Sequence, residues 1–213
     1  MTSSDPPAFP AWFFERDDPT PDSDFYDLPR LVTHIDDRAI AAVSDLYAEL
    51  RVDGASGAPR RVLDLMSSWI SHLRVPPSEL VVLGLNAAEL AANPMATERV
   101  VHDLNADPAL PFGGESFDAV LCCVSIDYLI HPVEVLREAA RVLRPDGVVV
   151  LTFSNRCFPT KAVRGWLTAD EDGRVAIVRA YLEQAGFEAV TTALRTAGRP
   201  GSDPLYGAWA RST

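Results

Sequence analysis

The chain has 213 residues, 47% of them hydrophobic, enough for one domain with a sizeable core. Asp and Glu number 30 against 19 Lys and Arg, giving a formal charge of −11 at pH 7. That balance argues against nucleic acid and anionic membrane surfaces as partners, and no apolar run approaches the roughly 20 residues that cross a bilayer.

Residues 1–24 are rich in proline and acid, and Met1–Pro7 has neither the basic start nor the apolar stretch of a signal peptide. The aromatic residues Phe9, Trp12, Phe13 and Phe14 allow two readings: a flexible leader, or a tail that packs on the domain or covers a site. The remainder, 25–213, reads as a single domain that begins with a lid and a helix over 25–52. In that helix Ile40, Val43, Leu46, Tyr47 and Leu50 recur at three- and four-residue spacing behind Asp36 and Asp37, acids suited to a helix start. Asp53–Pro59 then breaks the chain.

Strands and helices alternate from there. Arg61–Leu65 predicts a buried strand, and Ser67–Leu73 a short helix stopped by Pro76 and Pro77. Glu79–Leu85 predicts a second strand ending at Asn86, with Ala87–Asn93 as a short helix. Arg99–His102 is a third strand ending at Asp103. Phe117–Val124 has the near-continuous apolar character of a strand buried on both faces. Pro132 suits the first turn of a helix over Val133–Leu143, closed by Arg144–Gly147, and Val148–Phe153 follows as a fifth strand. Glu171–Ala185 reads as a helix stopped by Gly186. Val190–Thr196 and Leu205–Ala210 are final strands, joined by a connection too short for a crossover helix and so paired antiparallel. The pattern predicts an α/β, Rossmann-like fold: a mostly parallel seven-stranded sheet with an antiparallel final strand and helices on both faces.

Ligands bind such sheets at the carboxyl ends of the strands, which gathers Asp64, Asn86, Asp103 and Cys122–Ser125 on one edge. A pyrophosphate there needs a glycine-rich turn, but no glycine occurs between Gly57 and Gly84. NAD and ATP are disfavoured. S-adenosylmethionine has no phosphate and makes other demands. Asp64 can accept from its ammonium, Ser67 and Ser68 at a helix start can serve its carboxylate, Asn86 its ribose and Asp103 its adenine amine. The Cys123 carbonyl is a further partner for the ammonium. Met66, Leu85, Leu104 and Val124 complete the expected cofactor surroundings. Asn86 lacks the charge of a ribose-binding acid, which weakens the cofactor's hold by about 1–2 kcal/mol.

Residues 60–155 resemble the class I S-adenosylmethionine-dependent methyltransferases, specifically the small type 11 branch. The likeness rests on Val62-Leu63-Asp64-Leu65, on Val82-Leu83-Gly84-Leu85-Asn86, and on Asp103 followed by Leu110-Pro111-Phe112 and Glu115–Asp118. Its most distinctive phrase is Leu136–Gly147. The resemblance implies transfer of a methyl group to an O, N or S atom of a small acceptor, which the overall charge suggests is non-anionic. Methyl transfer draws mainly on alignment, with a base required only where the acceptor must lose a proton. Tyr128 falls where many relatives place a histidine facing the methyl group. His34 and Asp127 are the other catalytic candidates, and Tyr26, Ser125, Asn155 and Arg156 the acceptor-binding ones.

The three cysteines, Cys122, Cys123 and Cys157, lack ligand spacing, so reduced thiols in a cytoplasmic protein are expected and no metal site. The oligomeric expectation is a monomer or homodimer. A cofactor-binding protein that has lost transfer and acts through a partner is the alternative, motivated by Asn86 and the missing glycines.

Overall fold

The apolar runs pair into one sheet in the computed structural model, which describes residues 9–58 and 60–213. The leader's first eight residues and Pro59 of the chain break lie outside the described residues. The strands are β1 (Arg61–Leu65), β2 (Glu79–Gly84), β3 (Glu98–Val101), β4 (Phe117–Cys123), β5 (Leu143–Phe153), β6 (Thr191–Thr196) and β7 (Leu205–Arg211). Their order is β3-β2-β1-β4-β5-β7-β6, and only β7 runs against its neighbours. The chain builds outward from β1 to β3 and then returns to place β4 beside β1. This reversal opens a crevice at the carboxyl ends of β1 and β4.

Both faces of the central strands are buried. Leu63, Leu65, Val81, Leu83 and Val120 pack toward α4 (Pro132–Val142), α5 (Arg164–Thr168) and α6 (Glu171–Gln184). Val62, Leu80, Val82, Ala119 and Leu121 pack toward α2 (Asp37–Glu49) and α3 (Ala87–Ala92). Helix α2 starts where Asp36 accepts a hydrogen bond from the Ala39 N–H at 2.8 Å. Asp36 and Asp203 also bond each other's backbone N–H, tying this helix start to the approach to β7.

Four elements depart from the sequence reading. Residues 67–73 form no helix. The serines that would begin it spend their hydroxyls elsewhere: Ser67 donates to Asp64 at 2.7 Å, Ser68 donates to Glu89, and Ser71 accepts from Asn93. The segment has no regular structure, with His72 at φ 54°, and Ser44 of α2 donates to the His72 carbonyl at 2.7 Å. Strand β5 begins at Leu143 rather than Val148, with Arg144–Gly147 bulging opposite Asp118 and Asp146 at φ 62°. The short helices α1 (Asp22–Phe25) and α5 carry too few residues to show a helical period.

The N-terminal segment lies on the α6 side of the sheet before crossing to the carboxyl edge. Phe13 is buried, and a Cβ added to Gly165 would lie 2.1 Å from its ring. Phe9 packs on Tyr181 with ring centres 5.0 Å apart. Backbone bonds from Asp18 to Thr160 and from Arg164 to Glu15 fasten the segment beside α5. Removing the Phe13 ring should cost about 3 kcal/mol in urea unfolding of Phe13→Ala. Gly165→Ala should also destabilise, and the double variant should lose less than the sum because the emptied ring site admits the new methyl. Strict additivity would refute the contact.

Candidate functional site

A cavity of about 490 Å³ opens at the crevice, within the size range of small-ligand sites. Of the residues singled out from the sequence, Tyr26, His34, Asp64, Met66, Ser67, Ser68, Leu85, Asn86, Asp103, Leu104, Cys123, Val124, Ser125, Tyr128, Asn155 and Arg156 all line it. Asp127 does not.

The exits of β1 and β4 are conformationally unusual. Met66 stands where a glycine of the expected turn would and takes φ 52°, and Val124 takes φ 45°. Left-handed backbone is costly for a side chain, above all a β-branched one, and is held here by neighbours. Ser67 N–H donates to the Leu83 carbonyl at 2.8 Å, and Val124 N–H to Thr152 at the same distance. Gly84 permits the first of these turns: a Cβ there would lie 2.3 Å from the Ser67 carbonyl oxygen.

Asp64 is buried at the end of β1, with serine hydroxyls as its partners and no cation against it among the described residues. Burial pushes its pKa to about 6, against the opposing pull of Ser71 and Ser67. Asp103 accepts from the Asn105 and Ala106 N–H groups through Oδ1, leaving Oδ2 without a hydrogen-bond partner among the described residues. The Cys123 carbonyl already accepts from Ser125 Oγ at 3.0 Å, and burial raises the Cys123 thiol to about 12.

Asn86 is fully used. Its Oδ1 accepts from the Ala88 and Glu89 N–H groups, each at 3.0 Å, capping α3. Its Nδ2 donates to the carbonyls of Tyr26 at 2.8 Å and Asp27 at 3.0 Å. An amide makes four such bonds at most, so Asn86 has no capacity left for a ribose. The neighbouring carboxylate is Glu89, buried and lining the cavity, which accepts from the Arg30 backbone N–H at 2.6 Å and from Ser68 Oγ. Sequence reasoning passed over it because Asn-x-x-Glu at a helix start looks like capping alone.

On the side of β4 and β5, the segment through Tyr26, Arg30 and His34 roofs the cavity. Tyr128 accepts from the Phe158 N–H at 2.8 Å, and burial with the nearby Asp127 drives its pKa up, so it stays protonated and is no base. His34 lies with its ring centre 5.3 Å from that of Phe158, and burial lowers its pKa from the ordinary 6.5. It is therefore neutral at pH 7 and able to accept a proton. Asn155 and Arg156 are exposed at the rim. Asp127 is buried away from the cavity, its Oδ2 unpartnered, and burial raises its pKa to about 7 with only partial relief from Arg174. It has no path to an acceptor in this arrangement.

Among the described residues no group of three His, Cys, Asp or Glu side chains could hold a metal ion, no helix is long and apolar enough to cross a membrane, and the three cysteines are free.

The parallel sheet carries a switch-point cavity that is acidic at the strand ends and has no glycine-rich turn, the position at which open α/β sheets bind ligands. Residues 67–151 match the family model described as a methyltransferase domain, in line with the resemblance to the class I S-adenosylmethionine-dependent methyltransferases. No curated protein matches it. Among solved structures it is similar to CalH, a trans-methyltransferase in complex with S-adenosylhomocysteine, at 17% identity and TM-score 0.60, covering 82% of this chain and 58% of that one. A methyltransferase from Mesorhizobium loti matches at 17% and TM-score 0.53, over 78% of this chain and 96% of that one. The [4+2]-cyclase SpnF matches at 16% and TM-score 0.57, over 80% and 79%. Such identities speak for the fold, which serves more than one chemistry.

The raised pKa of Asp127 means that the folded state holds its proton more tightly than the unfolded chain. Its contribution to stability is present below the unfolded value of about 3.9 and lost as pH rises toward 7. Asp127→Asn should therefore gain in melting temperature over the parent as pH rises from near 4 to near 8. A gap independent of pH would contradict the assignment.

Proposed function

We propose that this chain moves a methyl group from S-adenosylmethionine to an O, N or S atom of a small acceptor held between the sheet edge and the N-terminal roof. The observation that carries the cofactor placement is Asp64: a desolvated carboxylate without a cation, in a cavity of about 490 Å³, suits the ammonium end of the cofactor. The open Oδ2 of Asp103 suits an exocyclic amine, and Leu104 beside it supplies an apolar surface. Glu89, rather than the saturated Asn86, has acceptor lone pairs left for ribose hydroxyls. When bound, the cofactor supplies a methyl group already activated on a sulfonium. The protein's part is alignment. Tyr26, Tyr128, Ser125, Asn155 and Arg156 bound the acceptor space, and His34 takes a proton from an acceptor that must lose one.

The second reading, a binding protein without transfer, draws support from Asn86 being committed to the roof and from Tyr128 being no base. Labelled-methyl transfer to a panel of thiols, amines and phenols separates the two, with turnover that falls in His34→Gln deciding for the enzyme.

Calorimetry with S-adenosylhomocysteine tests the cofactor placement. Binding should be 1:1 and weaken about tenfold or more in Asp64→Asn, as expected on losing a charge-assisted hydrogen bond. Because Asp64 must be ionised to hold an ammonium, affinity should fall as pH drops below about 6, by up to tenfold per pH unit. No binding at millimolar ligand would refute the placement.

A further inference from the structure

The cavity is electrically divided. Its acids Asp64, Glu89 and Asp103 stand toward β1, β2 and β3, and the roof acid Asp22 is already paired with Arg16 and Lys161, whereas the roof and the loop after β5 contribute Arg30 and Arg156. Arg156 is exposed and lies 3.7 Å from Asp203, so its charge is shared with solvent and a carboxylate. Arg30 is different. Its guanidinium lies 4.6 Å from the Phe25 ring centre, 5.4 Å from that of Tyr26 and 5.6 Å from that of Phe158. Nη2 donates to the Phe25 carbonyl at 2.8 Å, while Nη1 is buried and meets no acceptor among the described residues. Nor does a carboxylate reach the guanidinium; Glu89 is bonded only to the backbone N–H of this residue.

A guanidinium cannot shed its charge, and rings stabilise it only in part, so a half-buried one whose Nη1 is buried without a partner calls for an anionic oxygen. Tyr26 and Phe158, the rings flanking it, also line the cavity and offer flat apolar surface beside the charge. We propose that the methyl acceptor is an aromatic acid, its carboxylate received by Arg30 and its ring packed against Tyr26 and Phe158. This rests on the methyl-transfer reading above and reverses the expectation of a non-anionic acceptor drawn from composition. The formal charge of −11 is spread over the whole surface. Its field is screened beyond about 8 Å at physiological salt, so Arg30, which no carboxylate reaches among the described residues, dominates at contact. The acceptor's carboxylate meets a positive group, and the cofactor's ammonium keeps the acids to itself.

The test compares 4-hydroxybenzoate, 4-hydroxybenzamide and acetate by calorimetry, each with and without saturating S-adenosylhomocysteine. The acid should bind at least tenfold more tightly than the amide, and acetate more weakly than the acid. Arg30→Met should erase the preference for acid over amide, and Arg30→Lys should retain part of it. Melting temperatures of all variants separate this from a purely structural role, which would lower stability without moving the acid-to-amide ratio. Equal binding of acid and amide, a preference that survives in Arg30→Met, or no binding of the acid to the parent protein would overturn the proposal. The titration of S-adenosylhomocysteine into the same samples reports independently on the cofactor reading.

Discussion

The roof of the cavity hangs on one ammonium group. Lys161 is wholly buried, and its Nζ donates to the Thr20 carbonyl at 2.7 Å while lying 3.2 Å from Asp18 and 3.4 Å from Asp22. Arg16 closes on Asp22 at 2.7 Å, so two cations face two carboxylates with most of the cluster out of water. Such a group does little net stabilising, yet losing one member strands the rest at a cost of about 3–5 kcal/mol. Its position gives it reach. Asp22 also accepts from Asn105 Nδ2 at 2.7 Å, and Asn105 bonds both the Tyr128 carbonyl and the Ile130 N–H. The roof, the loop after β3 and the loop after β4 are thereby set against one another by a single network.

The cofactor side rests on a different constraint: a turn that does without glycine. Met66 and Val124 hold left-handed backbone at the exits of adjacent strands, and the serines after Met66 are bound to Asp64 and Glu89 rather than offered to a phosphate. The result is a short polar floor against a buried carboxylate. A ligand bearing a positive amino group offsets the desolvation of Asp64, whereas a pyrophosphate would add to it.

The sheet was legible because its central strands are buried on both faces and therefore read as unbroken apolar runs, and because the chain reverses between β3 and β4 as alternating units do. The strand ends were legible for the same reason, which is why Asp64, Asn86 and Asp103 do line one cavity. What those side chains do there was not. Asn86 is consumed by carbonyls 60 and 59 positions away, and no local pattern announces that. Ser67–Leu73 has an acceptable helical composition, yet tertiary partners for its hydroxyls win over local propensity. Asp127 follows β4 like a site residue but its single turn carries it to the far side. Arg30 and Glu89 carry no signature beyond those of a lid arginine and a helix-capping acid; their meaning comes from rings and backbone groups brought to them by folding.

The roof is fastened over α3 through main-chain atoms: the carbonyls of Tyr26 and Asp27 on Asn86, and the N–H of Arg30 on Glu89. Backbone carbonyls are common to every residue type, and the N–H to every type but proline. The Tyr26 side chain is thus uncoupled from these bonds, and it can be exchanged without unfastening them. The architecture separates what closes the chamber from what the chamber selects, which is the arrangement a lineage needs to change its substrate one residue at a time.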